Sequence, residues 1–499
     1  MSAPAASVGT VPWGAFRRPA QRGLPAWTVP AAAVLLGAAI AFGNPIVIAV
    51  ALLPAAAALV LRPDGAAVIF AFGIYLNLPV VLANHAGIST LLASGFALVL
   101  LVPLFGYLVV GRQPVVLTPA LGLMVGYLVA LVLSATLAPG AGRDTVSTVV
   151  TFLSEGLLLY VLITNVVRTP RTLRAVVWAL IVAGGIMGAL SVWQEATHSY
   201  HQTLWGLAQV DRTGSNIGTA AAFGKDLRPR LAGPIGEKNR YAQVLLVLLP
   251  LALWIVRIEA IRWRRLLAAG CAFFTLCGIL LTFSRGAALA LGITVLAMMV
   301  VGFVRARTVA LLLVCVLGLT FALAPDYIAR LQSLSALDSA TSQGSSADGA
   351  VVGRATEGLA AFNAFKDHPI VGVGPGQFFR RYSQEYGNQL NLRFLAENRQ
   401  AHNLYLAIMA DTGILGLVTF LSIVLVTIVQ LWRLNVFWRM RRPEHAHLAL
   451  AFLLSLVAYL ASGAFLQLAY QRYFFVLVAL ANATIWVLRR EARRLPDGA

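Results

Sequence analysis

The sequence predicts an all-α polytopic membrane protein, and three observations carry that prediction. Hydrophobic residues make up 59% of the chain and charged residues 11%, where a soluble domain carries about 25% charged residues. Mean hydropathy is +0.81. Apolar runs of about 17–25 residues recur along most of the length, and each is long enough to cross a bilayer as a helix, the structure that satisfies its own backbone there.

About 12–14 transmembrane helices are expected; the fullest reading places spans near 27–43, 45–61, 66–83, 92–110, 116–137, 147–166, 173–193, 241–257, 266–283, 286–304, 308–324, 403–432, 447–468 and 473–488. The first pair divides at Gly43-Asn44-Pro45. The pair at 266–304 divides at Ser284-Arg285.

The arginines give the spans a direction. Arg17, Arg18 and Arg22 precede the first span. Arg62, Arg112, Arg168, Arg171 and Arg174 follow the second, fourth and sixth. Arg257, Arg262, Arg264 and Arg265 follow the eighth, and Arg305 and Arg307 the tenth. Arg433, Arg439, Arg441 and Arg442 follow the twelfth, and Arg489, Arg490, Arg493 and Arg494 the last. Alternating spans put all of these on one side, the positive-inside pattern, with both termini in the cytoplasm. The net charge of +19 is thus mainly a topology signal, with anionic lipid as its partner rather than nucleic acid.

The expected organisation follows: a disordered cytoplasmic N-terminus (1–26), N-terminal spans (27–193), a first periplasmic loop (194–240), central spans (241–324), a large periplasmic loop (325–402), C-terminal spans (403–488) and a cytoplasmic tail (489–499). The basic, Pro/Ala-rich start leads into a full span without a cleavage site, so it is not a cleavable signal. All three lysines, Lys225, Lys238 and Lys366, fall in the external loops. Positive charge held there runs against the topology bias, and an anionic substrate would explain it. The cysteines Cys271, Cys277 and Cys315 lie within spans and read as small packing residues. No zinc spacing, calcium cage, P-loop or dinucleotide fingerprint occurs, so the chemistry is expected to need no cofactor.

Four external elements carry candidate chemistry. Arg228-Pro-Arg230 and Glu237-Lys238-Asn239-Arg240 approach the eighth span and form an anion seat. Thr282-Phe283-Ser284-Arg285-Gly286 is a short turn whose arginine is costly at headgroup depth unless paired or used. Arg354 and Glu357 precede Asp367-His368-Pro369-Ile-Val-Gly372-Val-Gly374-Pro375-Gly376-Gln377-Phe378, in which glycine permits a close approach to a ligand or a tight turn. His402-Asn403 stands where the polar loop meets an apolar helix, and a histidine there can act as a general base near neutral pH. Singly, each is more often structural than catalytic. On one face they form one coherent site.

The order of these motifs, over about residues 228–420, resembles the O-antigen ligase and Wzy-type polymerase superfamily of bacterial envelope glycosyltransferases. The resemblance rests on Arg230, Gly233, Asn239 and Ala242; Ser284, Arg285 and Gly286; Arg354; Pro369, Gly372, Gly374, Gly376 and Phe378; and His402, Asn403, Asp411, Gly413 and Gly416. It implies a GT-C-like, inverting, metal-independent transferase in the bacterial inner membrane with a periplasmic site. The donor would be a glycan on undecaprenyl pyrophosphate and the acceptor a sugar hydroxyl, on lipid A–core for a ligase or on a growing glycan for a polymerase. His402, Arg285 and Arg230 would be catalytic. Arg228, Asn239, Arg240, Arg354, Asn403, Gly374 and Gly376 would bind substrate. His402 would titrate near neutrality, pushed down by neighbouring arginines. Asp411, nine residues on, falls on the opposite face of a straight helix and is expected to pair with a neighbouring helix instead. Arg472 reads as an interface anchor, with Glu237 or Glu357 as reserve bases. A transporter is the reading from another class, and span interiors nearly free of ionisable residues argue against it.

Overall fold

The computed structural model of the protein describes residues 63–85, 95–140, 142–211, 230–305, 346–392, 394–466 and 472–495, with scattered positions between 307 and 318. Within them the chain is helical apart from one two-stranded ribbon, β1 (Gln209–Asp211) against β2 (Arg230–Gly233). In chain order the helices are α1 (Pro63–Tyr75), α2 (Leu78–His85), α3 (Gly95–Val110), α4 (Pro119–Leu137), α5 (Arg143–Val166), α6 (Pro170–Thr197), α7 (Lys238–Ile258), α8 (Arg262–Leu280), α9 (Arg285–Val300), α10 (Ser346–Asp367), α11 (Phe378–Tyr382 continuing as Ser383–Gln389), α12 (Leu404–Trp438), α13 (Pro443–Gly463) and α14 (Arg472–Ala492).

Eight of these, α4–α8 and α12–α14, are long and apolar enough to cross a membrane, and α1 with α2 makes a ninth, bent by 60°. The bend falls at Leu76-Asn77, where Asn77 takes a left-handed φ of 55°. The expected spans near 92–110 and 286–304 are helices, α3 and α9, but shorter than a full crossing. Those at 27–43, 45–61 and nearly all of 308–324 lie outside the described residues.

Local chemistry starts the helices. Thr118 and Thr169 accept hydrogen bonds from the first-turn amides of α4 and α6, each with proline next in sequence. That pairing satisfies an orphan donor and presets the first helical φ. The tightest helix pair is built from small residues. A side chain on Gly188 of α6 would come within 1.9 Å of the Phe274 carbonyl of α8, and one on Gly185 within 2.8–2.9 Å of Cys271. Such stripes let backbones approach where lipid gives no hydrophobic drive to associate. Cys271 and Cys277 are buried, free thiols. Trp254, Trp438, Tyr241, Tyr459, Phe420 and Phe474 fill the centre.

The two ends of the bundle differ in charge. At one end Arg174 pairs with Glu259 at 2.5 Å, Arg168 bonds the Pro114 carbonyl and sits 5.0 Å over the Tyr107 ring, and Arg257 bonds the Phe303 carbonyl. Trp254 there bonds the Glu444 carbonyl, and Thr172 bonds Asp64. These are the junctions where the sequence places the arginines. The opposite end carries the ribbon, the Thr282–Ser284 turn, α10, α11 and the start of α12.

There the glycine turn docks onto a break in α12. Gly413 takes φ 62°, ψ −160°, which divides the helix into a short outer piece and a membrane-length one. The amides of Val373 and Gly374 donate to the carbonyls of Ala410 and Asp411 at 2.8 and 3.0 Å, and Ile414 donates to the Pro369 carbonyl at 2.8 Å. Ser134 of α4 donates to both Val371 and Asp411 carbonyls. Gly372 (φ 69°) and Gly413 are obligatory here. A Cβ on the first would lie 2.4 Å from the Asp411 backbone, and one on the second 2.3 Å from the Ile370 carbonyl.

Candidate active site

Three caps place the site. Glu237 accepts from the Asn239 and Arg240 amides and starts α7. Ser284 accepts from the Ala287 amide and starts α9. Asn403 accepts from Tyr405 and Leu406 and starts α12. These are the polar residues that the sequence places at helix mouths, and their first task is to satisfy backbone. Cross-links then join the mouths: Ser284 Oγ donates to Asn239 Oδ1 at 2.7 Å, Asn403 Nδ2 donates to the Ala464 carbonyl at 3.2 Å, and the Leu231 amide of β2 reaches the Leu281 carbonyl.

His402 immediately precedes this last cap, with a left-handed φ of 48°. Nearby, Phe283, before the second, has φ 50°. Non-glycine residues held in this region cost about 1–3 kcal/mol and cluster at functional sites. The His402 ring faces Glu357 of α10, with Nε2 3.7 Å from Oε2, and Glu357 is also 3.9 Å from Arg399. Asp411 takes no part: its Oδ1 accepts from the Phe378 amide at 3.0 Å, capping the glycine turn rather than pairing with a neighbouring helix. The carboxylate beside the histidine comes from α10, more than 40 residues upstream, which no spacing along α12 could reveal.

Burial, and then the charges of Arg354, Arg399, Arg240 and Lys238, push the His402 imidazole down to about 4. This corrects the expected ionisation near neutrality: the direction agrees, and the desolvation of the ring adds what sequence could not show. Arg354 also stands close enough to Arg285 for their charges to act on one another. The structure thus gathers Lys238, Arg240, Arg285, Arg354 and Arg399 around one histidine. Among the described residues no carboxylate lies within ion-pair distance of Arg240, Arg285 or Arg354.

Other expected site residues are placed differently. Arg230 opens β2 opposite Asp211 and is not among the charges acting on His402. Arg228 lies outside the described residues. Asn239 is committed at both ends, its Nδ2 donating to Glu237 at 2.8 Å, yet it lines a cleft. Gly374 and Gly376 face Gln377, Thr145 and Thr148 at 3.0–3.2 Å, so protein fills the space beside them. Arg472 is no exposed anchor: it reaches Asn77 and Glu155, while Asn77 in turn bonds the Pro234 carbonyl. No group of three His, Cys, Asp or Glu side chains forms a metal site among the described residues.

Beside Arg354 lies an open cleft of about 250 Å3, lined by Asn239, Gln243, Ser284, Gly286, Ala287, Ser462, Phe465 and Leu466 as well. A helix-bounded cleft rimmed by cations, next to a neutral imidazole, can seat a polyanion and accept a proton.

Residues 270–421 match the family model described as O-antigen ligase. The match takes in Arg285, Arg354, the glycine turn and His402, and leaves out Arg230, Asn239 and Arg240. No curated protein matches the chain.

Proposed function

We propose, on the premise that residues 270–421 belong to the O-antigen ligase and Wzy-type superfamily, that the chain is a ligase. It moves a glycan from undecaprenyl pyrophosphate to a sugar hydroxyl on lipid A–core, at the periplasmic face of the bacterial inner membrane. The observation that carries this reading is the group of cations without carboxylate partners around a neutral His402. A polyprenyl pyrophosphate supplies the missing anion at headgroup depth.

The chemistry follows from the residues. Arg285 and Arg354 hold the pyrophosphate by charge-assisted, bidentate hydrogen bonds, and the lipid tail lies in the bilayer. Nε2 of His402 faces Glu357, so the Nδ1 lone pair is directed to the acceptor. The acceptor hydroxyl gives its proton to Nδ1 while its oxygen bonds to the anomeric carbon from the side opposite the phosphate. The bond from that carbon to the phosphate oxygen breaks, and its electron pair leaves with the pyrophosphate, where the arginines stabilise the new charge. The configuration inverts. No metal enters these steps, because guanidinium groups neutralise the leaving group.

The experiment is transfer by the purified protein in lipid nanodiscs, with undecaprenyl-pyrophosphate-linked glycan as donor and lipid A–core as acceptor. Polymer on core supports the ligase. Chain growth on the carrier without core modification supports a polymerase instead, and no transfer to either acceptor overturns the reading.

A further inference from the structure

The cleft beside Arg354 has a floor. Asn239 and Gln243 are one turn apart on α7, about 6 Å along its axis, and both line the cleft. Gln243 is the deeper of the two, further from the loops. Of the other polar side chains here, Asn239 is committed to Ser284 and Glu237, Ser284 to Asn239 and the Ala287 amide, and Ser462 to the Ala458 carbonyl. Gln243 is 2% exposed, and its Nε2 has no hydrogen-bond partner. A buried amide N–H without an acceptor costs about 1–3 kcal/mol, and in a cleft wall it points to a ligand that supplies one.

Depth identifies the acceptor. In a lipid-linked pyrophosphate the phosphate that bears the sugar faces the loops, and the one that bears the lipid lies deeper. Arg354 and the start of α9 stand at the rim, level with the first. Gln243 stands a turn below, level with the second, between Ala287 and the apolar side chains Phe465 and Leu466. A guanidinium at that depth would remain costly when the site is empty. A neutral amide donates to the phosphate without that penalty.

We propose that Gln243 is a positioning residue for the leaving group, its Nε2–H donating to an oxygen of the lipid-proximal phosphate. This rests on the reading of the donor given above. The test measures binding of undecaprenyl pyrophosphate to the full-length protein in nanodiscs, with melting temperature recorded alongside. Gln243→Met, nearly isosteric and without a donor, is expected to weaken binding about tenfold while the melting temperature holds or rises. Gln243→Glu, isosteric but anionic, is expected to weaken it by a further factor of about ten through like-charge repulsion. Unchanged affinity in a folded Gln243→Glu variant overturns the inference, with or without a folded Gln243→Met. A melting temperature that falls in Gln243→Met without loss of affinity also overturns it, because that is the mark of a structural amide. If the wild-type protein binds no undecaprenyl pyrophosphate, the functional reading itself fails.

Discussion

At the residue scale the central finding is a histidine kept neutral by its surroundings. With the imidazole pushed down to about 4, it is a base over the whole physiological range. Its ionisation in the free enzyme should appear in kcat/KM as a rise near pH 4 followed by a plateau. Donor binding brings negative charge among Arg240, Arg285 and Arg354, which offsets their field and favours the imidazolium. The corresponding limb of kcat is therefore expected at higher pH than that of kcat/KM, a comparison that steady-state kinetics between pH 3.5 and 8 makes directly. Coincident limbs would mean that the anion binds away from His402. His402→Ala and His402→Gln should each lose about 10²–10⁴-fold in rate with donor binding nearly intact. Glu357→Gln should slow transfer and shift the kcat/KM limb further down, since it removes the carboxylate that favours the charged ring. Arg285→Ala and Arg354→Ala should each cost about ten- to a hundredfold, and Arg285→Lys should recover only part, because an ammonium lacks the planar fork. Full activity in both alanine variants would place the pyrophosphate elsewhere.

At the element scale the site depends on the docking of the 369–378 turn onto the break in α12. Gly372→Ala and Gly413→Ala each combine a left-handed φ with a Cβ inside 2.5 Å of backbone, so each should destabilise by more than the roughly 1–3 kcal/mol of the φ penalty alone. A lower melting temperature in detergent checks this, and Gly106→Ala, at a position with open space around it, is the control. The same element shows what a sequence can disclose. Arg285, Arg354 and His402 were readable because charge at a helix mouth runs against both hydropathy and topology. Asn403, Ser284 and Glu237 were readable as special positions, but their caps and cross-links appear only when three helix ends meet. Gly374 and Gly376 show the same limit: glycine marks a close approach without telling whether ligand or protein makes it. Glu357 and Gln243 carried no local signal, because their meaning comes from neighbours 45 and 41 residues away, His402 and Ser284.

At the scale of the whole molecule, the separation of arginines from loops predicts orientation. A reporter fused after residue 345 should read as periplasmic and one after residue 437 as cytoplasmic; reversal at either position would separate the site from the face on which its substrate is presented. The alternation was legible because each junction is an independent vote, and the helices that the structure describes keep Arg168, Arg174 and Arg257 at one end and His402 at the other.

The unneutralised cations at that other end also govern what happens after the reaction. Glycan transfer turns a pyrophosphate diester into a monoester, which carries more negative charge at neutral pH. The spent carrier therefore fits the same arginines better than the loaded one did. Release, not bond making, should limit turnover: a first rapid round equal to the amount of protein, then a slower steady rate that added undecaprenyl pyrophosphate depresses and higher ionic strength relieves. Continued synthesis would then depend on an enzyme that hydrolyses the carrier's pyrophosphate and clears the site.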